Sequence, residues 1–305
     1  MLVHLDTDIG GDPDDACALA LLLGWPEVGL TGVTSTIDPA GVRAGYARYC
    51  LGLAGRGDVP VVAGAEMSLT RRQSAGPYTD ERYWPTGVAP VASSPGAAID
   101  ALADAIASGA TVVAVGPLTN LALLELARPG SLADARLVVM GGWVRALDDD
   151  LPSWGPDADF NVQWDVRAAE VVLGAARDLT LVTLADTLRT HVRRRDLPAL
   201  EAAGRLGPLL ARQAVAYAED RDHPTLARAH SGLPDDLLHF LHDPLTCAVA
   251  LGWPGVRTEQ RRLRPTVTDG VLVMAADETA PVVRVVSAVD GPAFTERWLE
   301  SVAAA

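Results

Sequence analysis

Five aspartates fall within ten residues near the start of the chain: Asp6, Asp8, Asp12, Asp14 and Asp15. They lie between a short apolar run, which predicts a buried strand, and an apolar segment that predicts a helix. In an open α/β sheet, ligands bind at the carboxyl ends of the strands, so this turn is a candidate site. Two carboxylates about 4 Å apart repel by roughly 4 kcal/mol at an effective dielectric near 20. Crowding of this kind therefore needs a specific explanation.

Helix capping and metal binding are the two explanations for the cluster. Asp12 or Asp14 could cap the helix, Pro13 suits a first helical position, and acids there gain about 0.3–1 kcal/mol each. Capping employs one or two acids and leaves the others unexplained. A hard cation with oxygen ligands, Ca²⁺ or Mg²⁺, accounts for the remainder. Gly10 and Gly11 would let the backbone turn tightly around such an ion.

Three later segments carry further candidate residues. A buried strand ending at Val115 runs directly into Gly116-Pro117 and a helix. An Asp- and Pro-rich loop contains Asp159-Phe160-Asn161, whose acid and amide can accept from and donate to a vicinal diol. The last segment is His242-Asp243-Pro244, where the proline forces Asp243 out of the helical region. Each segment also has an ordinary explanation, because Asn161 or Asp243 could simply cap a helix or turn.

Together these segments resemble the inosine-uridine-preferring nucleoside hydrolase family. The resemblance begins with Asp6-Thr7-Asp8-Ile9-Gly10 after a strand and Asp14-Asp15-Ala16 at a helix start. The three later segments match in the same order, so the resemblance covers most of the chain. The usual family signature is two residues shorter between the glycine and the Asp-Asp pair. We align Asp14-Asp15 with that pair and treat Asp12-Pro13 as part of an extended turn.

The resemblance implies a complete set of site roles. The metal is Ca²⁺, and its protein ligands are Asp8, Asp15, the backbone carbonyl of Val115, and Asp243. Asp8 also takes a proton from the attacking water, and His242 protonates the leaving base, for which an unperturbed pKa near 6.5 is suitable. The residues that fix the ribose are Asp14, Asp159 and Asn161. Asp6 is expected to orient a ligand, and Asp12 joins the metal shell if the extended turn folds inward.

Three positions depart from the family pattern. Asp38-Pro39 stands where the family usually has a Gly-Asn turn, and Ser153 stands where it has a second sugar-side Asn. Asp159 replaces the usual Glu and is one methylene shorter. The changes at Pro39 and Ser153 affect the hydroxymethyl side of the sugar pocket, so they bear on substrate identity more than on the chemistry.

A long polar, turn-rich segment runs from Glu66 to Pro95. Loops of this length inside a compact domain are usually functional. Its aromatic and basic residues, Tyr78, Arg82, Tyr83 and Trp84, could cover a flat apolar ligand, or the segment could be a solvated surface excursion. Trp84 and Trp154 are candidates for stacking on a purine.

The apolar patterning predicts an α/β fold in a single domain of residues 1–305, with an open, mostly parallel sheet flanked by helices. Strand–helix alternation of this kind forms right-handed βαβ units. The predicted strands are 1–5, 28–36, 59–63, 111–115, 136–140, 179–184, 257–267, 271–275 and 281–289. The predicted helices are 16–25, 40–53, 97–108, 117–127, 165–175 and 292–303, with a mainly helical region at about 194–251.

Composition narrows the functional classes. The net charge of −14 argues against a nucleic-acid or acidic-membrane partner, because no basic stripe is present to contact phosphates. Arg193-Arg194-Arg195 fits a solvated helix start. Cys17, Cys50 and Cys247 lie in apolar segments and fit small core residues in a reducing compartment. Met1 leads straight into a predicted core strand and no apolar run reaches about 18 residues, which predicts a soluble cytoplasmic protein. The resemblance implies a homodimer or homotetramer.

These observations predict a calcium-dependent hydrolase that cleaves the N-glycosidic bond of a ribonucleoside or a related N-riboside. Two alternatives remain. Asp6-Thr7-Asp8 after a strand also looks like the nucleophile motif of haloacid dehalogenase-type phosphatases. That motif normally has Thr or Val in place of Gly10, and no later Lys and Gly-Asp pair follows. The other is a non-catalytic, metal-dependent nucleoside or sugar binder, which Pro39 and Ser153 motivate. The base preference, the oligomeric state and the pathway are left open.

Overall fold

A computed structural model describes residues 1–305. Its strands, in chain order, are β1 (Leu2–Thr7), β2 (Gly29–Ser35), β3 (Val61–Ala63), β4 (Thr111–Ala114), β5 (Arg136–Met140), β6 (Asp178–Val182), β7 (His191–Arg193), β8 (Leu237–Phe240), β9 (Val256–Thr268), β10 (Val271–Ala276) and β11 (Val282–Val289).

Twelve α-helices connect and flank these strands. They are α1 (Asp14–Gly24), α2 (Val42–Leu53), α3 (Ala97–Ala107), α4 (Thr119–Ala127), α5 (Phe160–Trp164), α6 (Val166–Ala175), α7 (Leu184–Thr187), α8 (Leu197–Glu201), α9 (Gly207–Asp220), α10 (His223–Ala229), α11 (His242–Ala250) and α12 (Gly291–Ala304).

One nine-stranded sheet organises the chain, in the order β10-β9-β11-β6-β5-β4-β1-β2-β3. The six strands from β6 to β3 are parallel, β11 pairs with β6 in parallel, and β9 and β10 add an antiparallel edge. The predicted fold class, an open and mostly parallel sheet flanked by helices, is therefore confirmed.

The two faces of this sheet bury separate apolar clusters. Along β4, Val113 packs into one cluster, whereas Val112 and Ala114 pack into the other. This alternation follows from the period of two along a strand, and both faces are apolar because helices cover both. The three cysteines are buried and unpaired, as predicted. No helix of the structure combines the length and apolar character that a membrane crossing requires.

Several predicted elements need correction. The region around residues 194–251 is not only helical, because β7 and β8 form a small antiparallel sheet. His239 lies in β8 and His242 opens α11, so the two histidines do not share a helix face. Helix α11 begins at His242, which places Asp243 in its first turn and not at its N-cap. Arg193 ends β7, and Arg194 and Arg195 open a short 3₁₀ turn.

The order of the strands reverses at β1. Strand β2 lies on one side of β1 and β4 lies on the other, so the loops that leave β1 and β4 diverge at their carboxyl ends. A crevice at such a reversal is where open α/β sheets bind ligands. The aspartate-rich turn follows β1, and Val115 follows β4, so the sheet brings these two segments to the same crevice.

Asp165 holds three segments together behind this crevice. Its fully buried carboxylate accepts hydrogen bonds from the backbone of Leu69 and Thr70, from the Thr119 hydroxyl at the start of α4, and from the Ala168 N–H in α6. Replacing Asp165 with Ala would leave these donors unpaired, those of Thr119 and Ala168 in the interior. We expect the free energy of unfolding in urea to fall by about 3 kcal/mol. Asp157→Ala, at an exposed position, is the control, and an equal loss in both variants would contradict this role.

Candidate active site

A cavity of about 420 Å³ lies at the carboxyl ends of the parallel strands. Its wall brings together all eight residues that the sequence singled out for metal, substrate or catalysis: Asp8, Asp14, Asp15, Val115, Asp159, Asn161, His242 and Asp243. These residues come from the turn after β1 and the start of α1, the end of β4, the residues that open α5, and the start of α11. Residues far apart in sequence thus share one pocket.

The cavity is strongly acidic. Six aspartates and only two arginines, Arg43 and Arg221, line it. Burial raises the pKa of Asp8 to about 6, and the neighbouring Arg43 guanidinium opposes that rise. Burial, followed by repulsion from the other carboxylates, raises the pKa of Asp14, Asp15 and Asp243 well above the ordinary range. Within the protein, the negative charge of this pocket is only partly compensated.

Several carboxylate oxygens in the pocket are free of protein partners. The side chains of Asp8 and Asp243 accept no hydrogen bond from another residue, and the buried Asp14 Oδ1 has no partner. Asp14 Oδ2 accepts from the Asp243 backbone N–H at 3.0 Å, and Asp15 accepts from the Thr7 hydroxyl. Buried polar groups are normally paired, so these oxygens point to a missing cationic or hydrogen-bonding partner.

The donors fit a hard divalent cation in type and in charge, because carboxylate and carbonyl oxygens are the ligands that such ions prefer. The side chains as they stand are not gathered into a finished cage. No group of three or more His, Cys, Asp or Glu side chains is positioned to hold a metal ion. Ion binding would therefore have to draw the free carboxylates closer together. The donors therefore match a divalent cation in chemical type and in charge, whereas their positions do not yet form a coordination shell.

The segments around Val115 and Asn161 approach each other closely. The Asn161 amide donates to the Val115 carbonyl at 3.0 Å and to the Met140 carbonyl at 3.2 Å, so it does not serve as a helix cap. A Cβ at Gly116 would lie 2.7 Å from Asp8 Oδ1. Gly116 is therefore required for the carboxylate to sit against the end of β4. This contact places Asp8 against the residue that follows Val115.

Asp159 has both a structural and a pocket-facing position. Its carboxylate accepts from the backbone N–H of Gly142 at 2.7 Å and from that of Val162 at 3.3 Å, so it caps α5. Burial raises the pKa of Asp159 to about 6. The same side chain lines the cavity. The shorter acid thus stays at the pocket wall, held by the two backbone N–H groups.

His242 lies in the cavity wall with one ring nitrogen engaged. Its Nδ1 is 2.6 Å from the Thr187 hydroxyl oxygen at the end of α7. Burial lowers the pKa of His242 to about 3. The imidazole is therefore neutral at pH 7, contrary to the expectation of a ring that titrates near neutrality. A neutral imidazole still presents one N–H and one acceptor nitrogen.

The structure explains one departure from the family pattern. The Asp38 carboxylate accepts from the Ser35 hydroxyl at 2.6 Å and from the backbone N–H groups of Arg43 and Ala44. It therefore anchors the start of α2. Neither Pro39 nor the exposed Ser153 lines the cavity. The side of the pocket where the family has its two further sugar-binding Asn residues is consequently built from other residues.

Asp6 and Asp12 occupy different places. Asp6 is fully buried behind the cavity, where it accepts from the Thr34 hydroxyl and the Asn120 amide, and burial raises its pKa to about 7. Asp12 lines the cavity, and its carboxylate accepts from the Asp14 backbone N–H. The extended turn therefore does fold towards the pocket.

The aromatic residues of the long loop are mostly structural. Trp84 is 2% exposed and stacks on Tyr46 with the ring centres 4.2 Å apart, and the Tyr83 hydroxyl donates to Asp220. Both lie outside the cavity wall, so the prediction that they cover a ligand was wrong. Arg82 pairs with Asp220 and also lies outside it. Of the four candidates only Tyr78 lines the cavity.

Several other residues that line the cavity were not predicted from the sequence. Arg43 is buried and donates to the backbone carbonyls of Asp8 and Ile9 and to that of Ala75. Tyr217 and Arg221 lie four residues apart at the end of α9, with the guanidinium 5.4 Å from the ring centre. This spacing could have been recognised in the sequence, since residues four apart share a helix face. No pattern in the sequence indicated Arg43, because it lies in an otherwise ordinary helix.

Known proteins resemble this chain over most of its length. Residues 3–296 match the sequence profile described as inosine-uridine preferring nucleoside hydrolase. The pyrimidine-specific ribonucleoside hydrolase RihA of an Enterobacter species is 31% identical over 285 residues, covering 84% of each chain. An uncharacterised protein of Schizosaccharomyces pombe is 30% identical over 222 residues, covering 69% of this chain and 70% of that protein.

Solved structures agree in fold. A plant nucleoside hydrolase superposes with a TM-score of 0.81 at 24% identity, covering 100% of this chain and 99% of that chain. A purine-preferring ribonucleoside hydrolase from Gardnerella vaginalis gives a TM-score of 0.79 at 22% identity, covering 99% and 98%. The profile match spans nearly the whole sequence. The chain therefore belongs to the inosine-uridine preferring nucleoside hydrolase family, a family of N-glycosyl hydrolases.

Proposed function

We propose that this nucleoside hydrolase requires Ca²⁺ and cleaves the N-glycosidic bond of a ribonucleoside or related N-riboside within a single domain of residues 1–305. The observation that carries the proposal is the acidic cavity with its unpaired carboxylate oxygens. Its proposed metal ligands are Asp8, Asp15, the Val115 carbonyl and Asp243. Oxygen donors without nitrogen or sulfur favour a hard ion, and a flexible set with a backbone carbonyl suits calcium.

The residues around the ion would divide the chemistry. When bound, Ca²⁺ supplies Lewis acidity that lowers the pKa of a water and offsets the carboxylate charge. Asp8, whose carboxylate has no other protein partner, takes the proton of the attacking water. The acid and amide groups that bind the ribose hydroxyls are Asp14, Asp159 and Asn161. The negative charge of the carboxylates around the sugar also stabilises the cationic sugar that develops as the bond breaks.

His242 would act on the leaving base. Its Nδ1 is engaged with Thr187, whereas Nε2 has no protein partner in a residue that lines the cavity. The Thr187 hydroxyl can donate a hydrogen bond to an unprotonated Nδ1. Nε2 can therefore carry the proton of the neutral ring. We place this N–H at the base, where it donates to the nitrogen that gains electrons as the glycosidic bond breaks.

A panel assay tests the reaction class. The purified protein is incubated with inosine, uridine, adenosine, cytidine and nicotinamide riboside in the presence of Ca²⁺. Free base and reducing sugar should appear in equal amounts. Tight ribose or nucleoside binding without turnover would instead support a non-catalytic binder. Phosphate release from an aryl phosphate with Mg²⁺ would favour the phosphatase alternative.

Trp154 is the candidate for stacking on the base. It stands at the cavity rim, 36% exposed, with its ring edge-on to Phe240 at 6.4 Å. Replacing it with Ala should raise KM for purine nucleosides by about 3- to 10-fold, since an aromatic pair contributes about 0.5–1.5 kcal/mol beyond its area. Trp154→Phe should keep most of the affinity. An unchanged purine KM in the Ala variant would exclude this role.

We also expect a homodimer or homotetramer, in the cytoplasm, with a small nucleoside-like molecule as the only substrate. The acidic net charge of −14 supports the absence of a nucleic-acid partner. Light scattering of the purified protein would give the oligomeric state.

A further inference from the structure

His223 forms part of the cavity wall and has no role in the mechanism above. It is the first residue of α10, and it is buried at the pocket. Its ring lies edge-on to Tyr217 at 5.3 Å and to Phe240 at 5.8 Å between ring centres. The imidazole is therefore held firmly between two aromatic side chains.

A hydrogen bond determines which nitrogen of His223 carries the proton. Its Nδ1 lies 2.6 Å from the backbone carbonyl oxygen of Leu238. A carbonyl can only accept, so Nδ1 is the donor and carries the hydrogen. Burial lowers the pKa of His223, which keeps the ring neutral. Nε2 is consequently an acceptor, and no residue of the chain donates to it.

The other histidines near the pocket differ in this respect. Nδ1 of His242 meets a hydroxyl, which leaves its tautomer free, so its Nε2 can carry a proton. His239 is sealed in the interior, where its Nε2 has no partner and is out of reach of the cavity. His223 is thus the histidine that presents a fixed acceptor to the pocket.

The surroundings of His223 indicate which part of the substrate it meets. The carboxylates proposed to bind the ribose, Asp14 and Asp159, lie at the start of α1 and just before α5, whereas Tyr217, Phe240 and Trp154 form an aromatic wall. Flat aromatic faces pack well against a heterocyclic base and poorly against a hydroxyl-rich sugar. An acceptor set among these rings therefore faces the base.

We propose that His223 Nε2 accepts a hydrogen bond from an N–H group on the edge of the leaving base and so selects bases that carry such a donor. The inference rests on the proposed function, since it assigns a specificity role within the same site. A site built to hydrogen-bond a substrate group discriminates strongly against an analogue that lacks the group, because its own polar atom is then left unpaired.

The experiment compares substrate pairs in the wild type and in His223→Phe, which keeps a ring but removes the acceptor. Two pairs are used: adenosine with purine riboside, which lacks the amino group, and inosine with 1-methylinosine, which lacks the ring N–H. For at least one pair, the wild-type ratio of kcat/KM should exceed the ratio in His223→Phe by about 10-fold or more. Comparing ratios cancels the intrinsic reactivity of the analogues.

Two further variants separate recognition from folding. His223→Gln retains an acceptor oxygen on a flexible side chain and should restore part of the preference. His230→Gln alters a half-buried histidine outside the cavity and should leave all ratios unchanged. Unchanged ratios for both pairs in both His223 variants, with wild-type hydrolysis intact, would overturn the inference. Absence of hydrolysis by the wild type would instead overturn the proposed function.

Discussion

Asp8→Asn is expected to lower kcat by about 10³- to 10⁴-fold while the protein remains folded. Asp8 is proposed both to hold the ion and to take the proton from water, and loss of a positioned general base alone removes about 10²–10⁴-fold. The amide has nearly the same shape, and the carboxylate makes no hydrogen bond to another residue that the substitution would break. Steady-state release of free base at saturating Ca²⁺ measures the effect.

The same substitution should stabilise the metal-free protein at neutral pH. Burial raises the pKa of Asp8 to about 6, above its unfolded value near 4, so the folded state disfavours the charged form. This penalty is full above pH 6 and disappears below about pH 4, where both states are protonated. Asn removes it, so we expect a gain of about 1–3 kcal/mol in urea unfolding at pH 7.5 with chelator.

The control for Asp8→Asn is Asp157→Asn, which changes an exposed carboxylate outside the cavity and should alter neither property. Retention of more than a tenth of wild-type kcat in Asp8→Asn would remove Asp8 from the catalytic machinery. A loss of stability in the metal-free variant would show that the carboxylate has a partner within the folded protein.

Asp243→Asn is expected to weaken Ca²⁺ binding by about 100-fold or more, since substitutions even among the partners of metal ligands cost 10- to 100-fold. The backbone N–H of residue 243 would still donate to Asp14 Oδ2, so the start of α11 should keep its place. Isothermal titration calorimetry gives the Kd directly. Activity at high Ca²⁺ should largely recover, because the substitution removes a ligand and leaves Asp8 in place.

Asp235→Asn, an exposed change just before β8, is the matched control for Asp243→Asn. Calcium affinity within threefold of the wild type in Asp243→Asn would exclude a direct ligand role. A large loss of activity without any loss of affinity, and without recovery at high Ca²⁺, would place Asp243 on the substrate instead.

The sequence was most informative where chemistry is concentrated locally. The turn after β1 holds five acids within ten residues, and no arrangement of caps uses all of them, so a site could be predicted from that segment alone. The sheet could be predicted from the alternation of strands and helices, because the hydrophobic period and the length of each segment are local properties of the sequence. The prediction that Val115, Asn161 and Asp243 share a site with that turn came from the family resemblance. In the structure all of them line one cavity.

Residues whose role depends on distant contacts were harder to assign. Trp84 looks like a ligand-binding aromatic in a polar loop, yet it packs on Tyr46 in the core, and no local pattern reveals that partner. Asp38-Pro39 stands where the family has a Gly-Asn turn, and only the fold shows that Asp38 anchors α2. The tautomer of His223 depends on a carbonyl in β8, fifteen residues further along the chain.

The dependence of activity on calcium is the most direct test of the account. Protein stripped with chelator is titrated with buffered free Ca²⁺, and nucleoside hydrolysis is measured beside calcium binding by calorimetry on the same preparation. We predict negligible base release in chelator, recovery on adding Ca²⁺, and a half-activating concentration equal to the measured Kd. Full hydrolysis in chelator, or calcium binding that leaves the rate unchanged, would contradict the proposal that the acidic cavity is a catalytic calcium site.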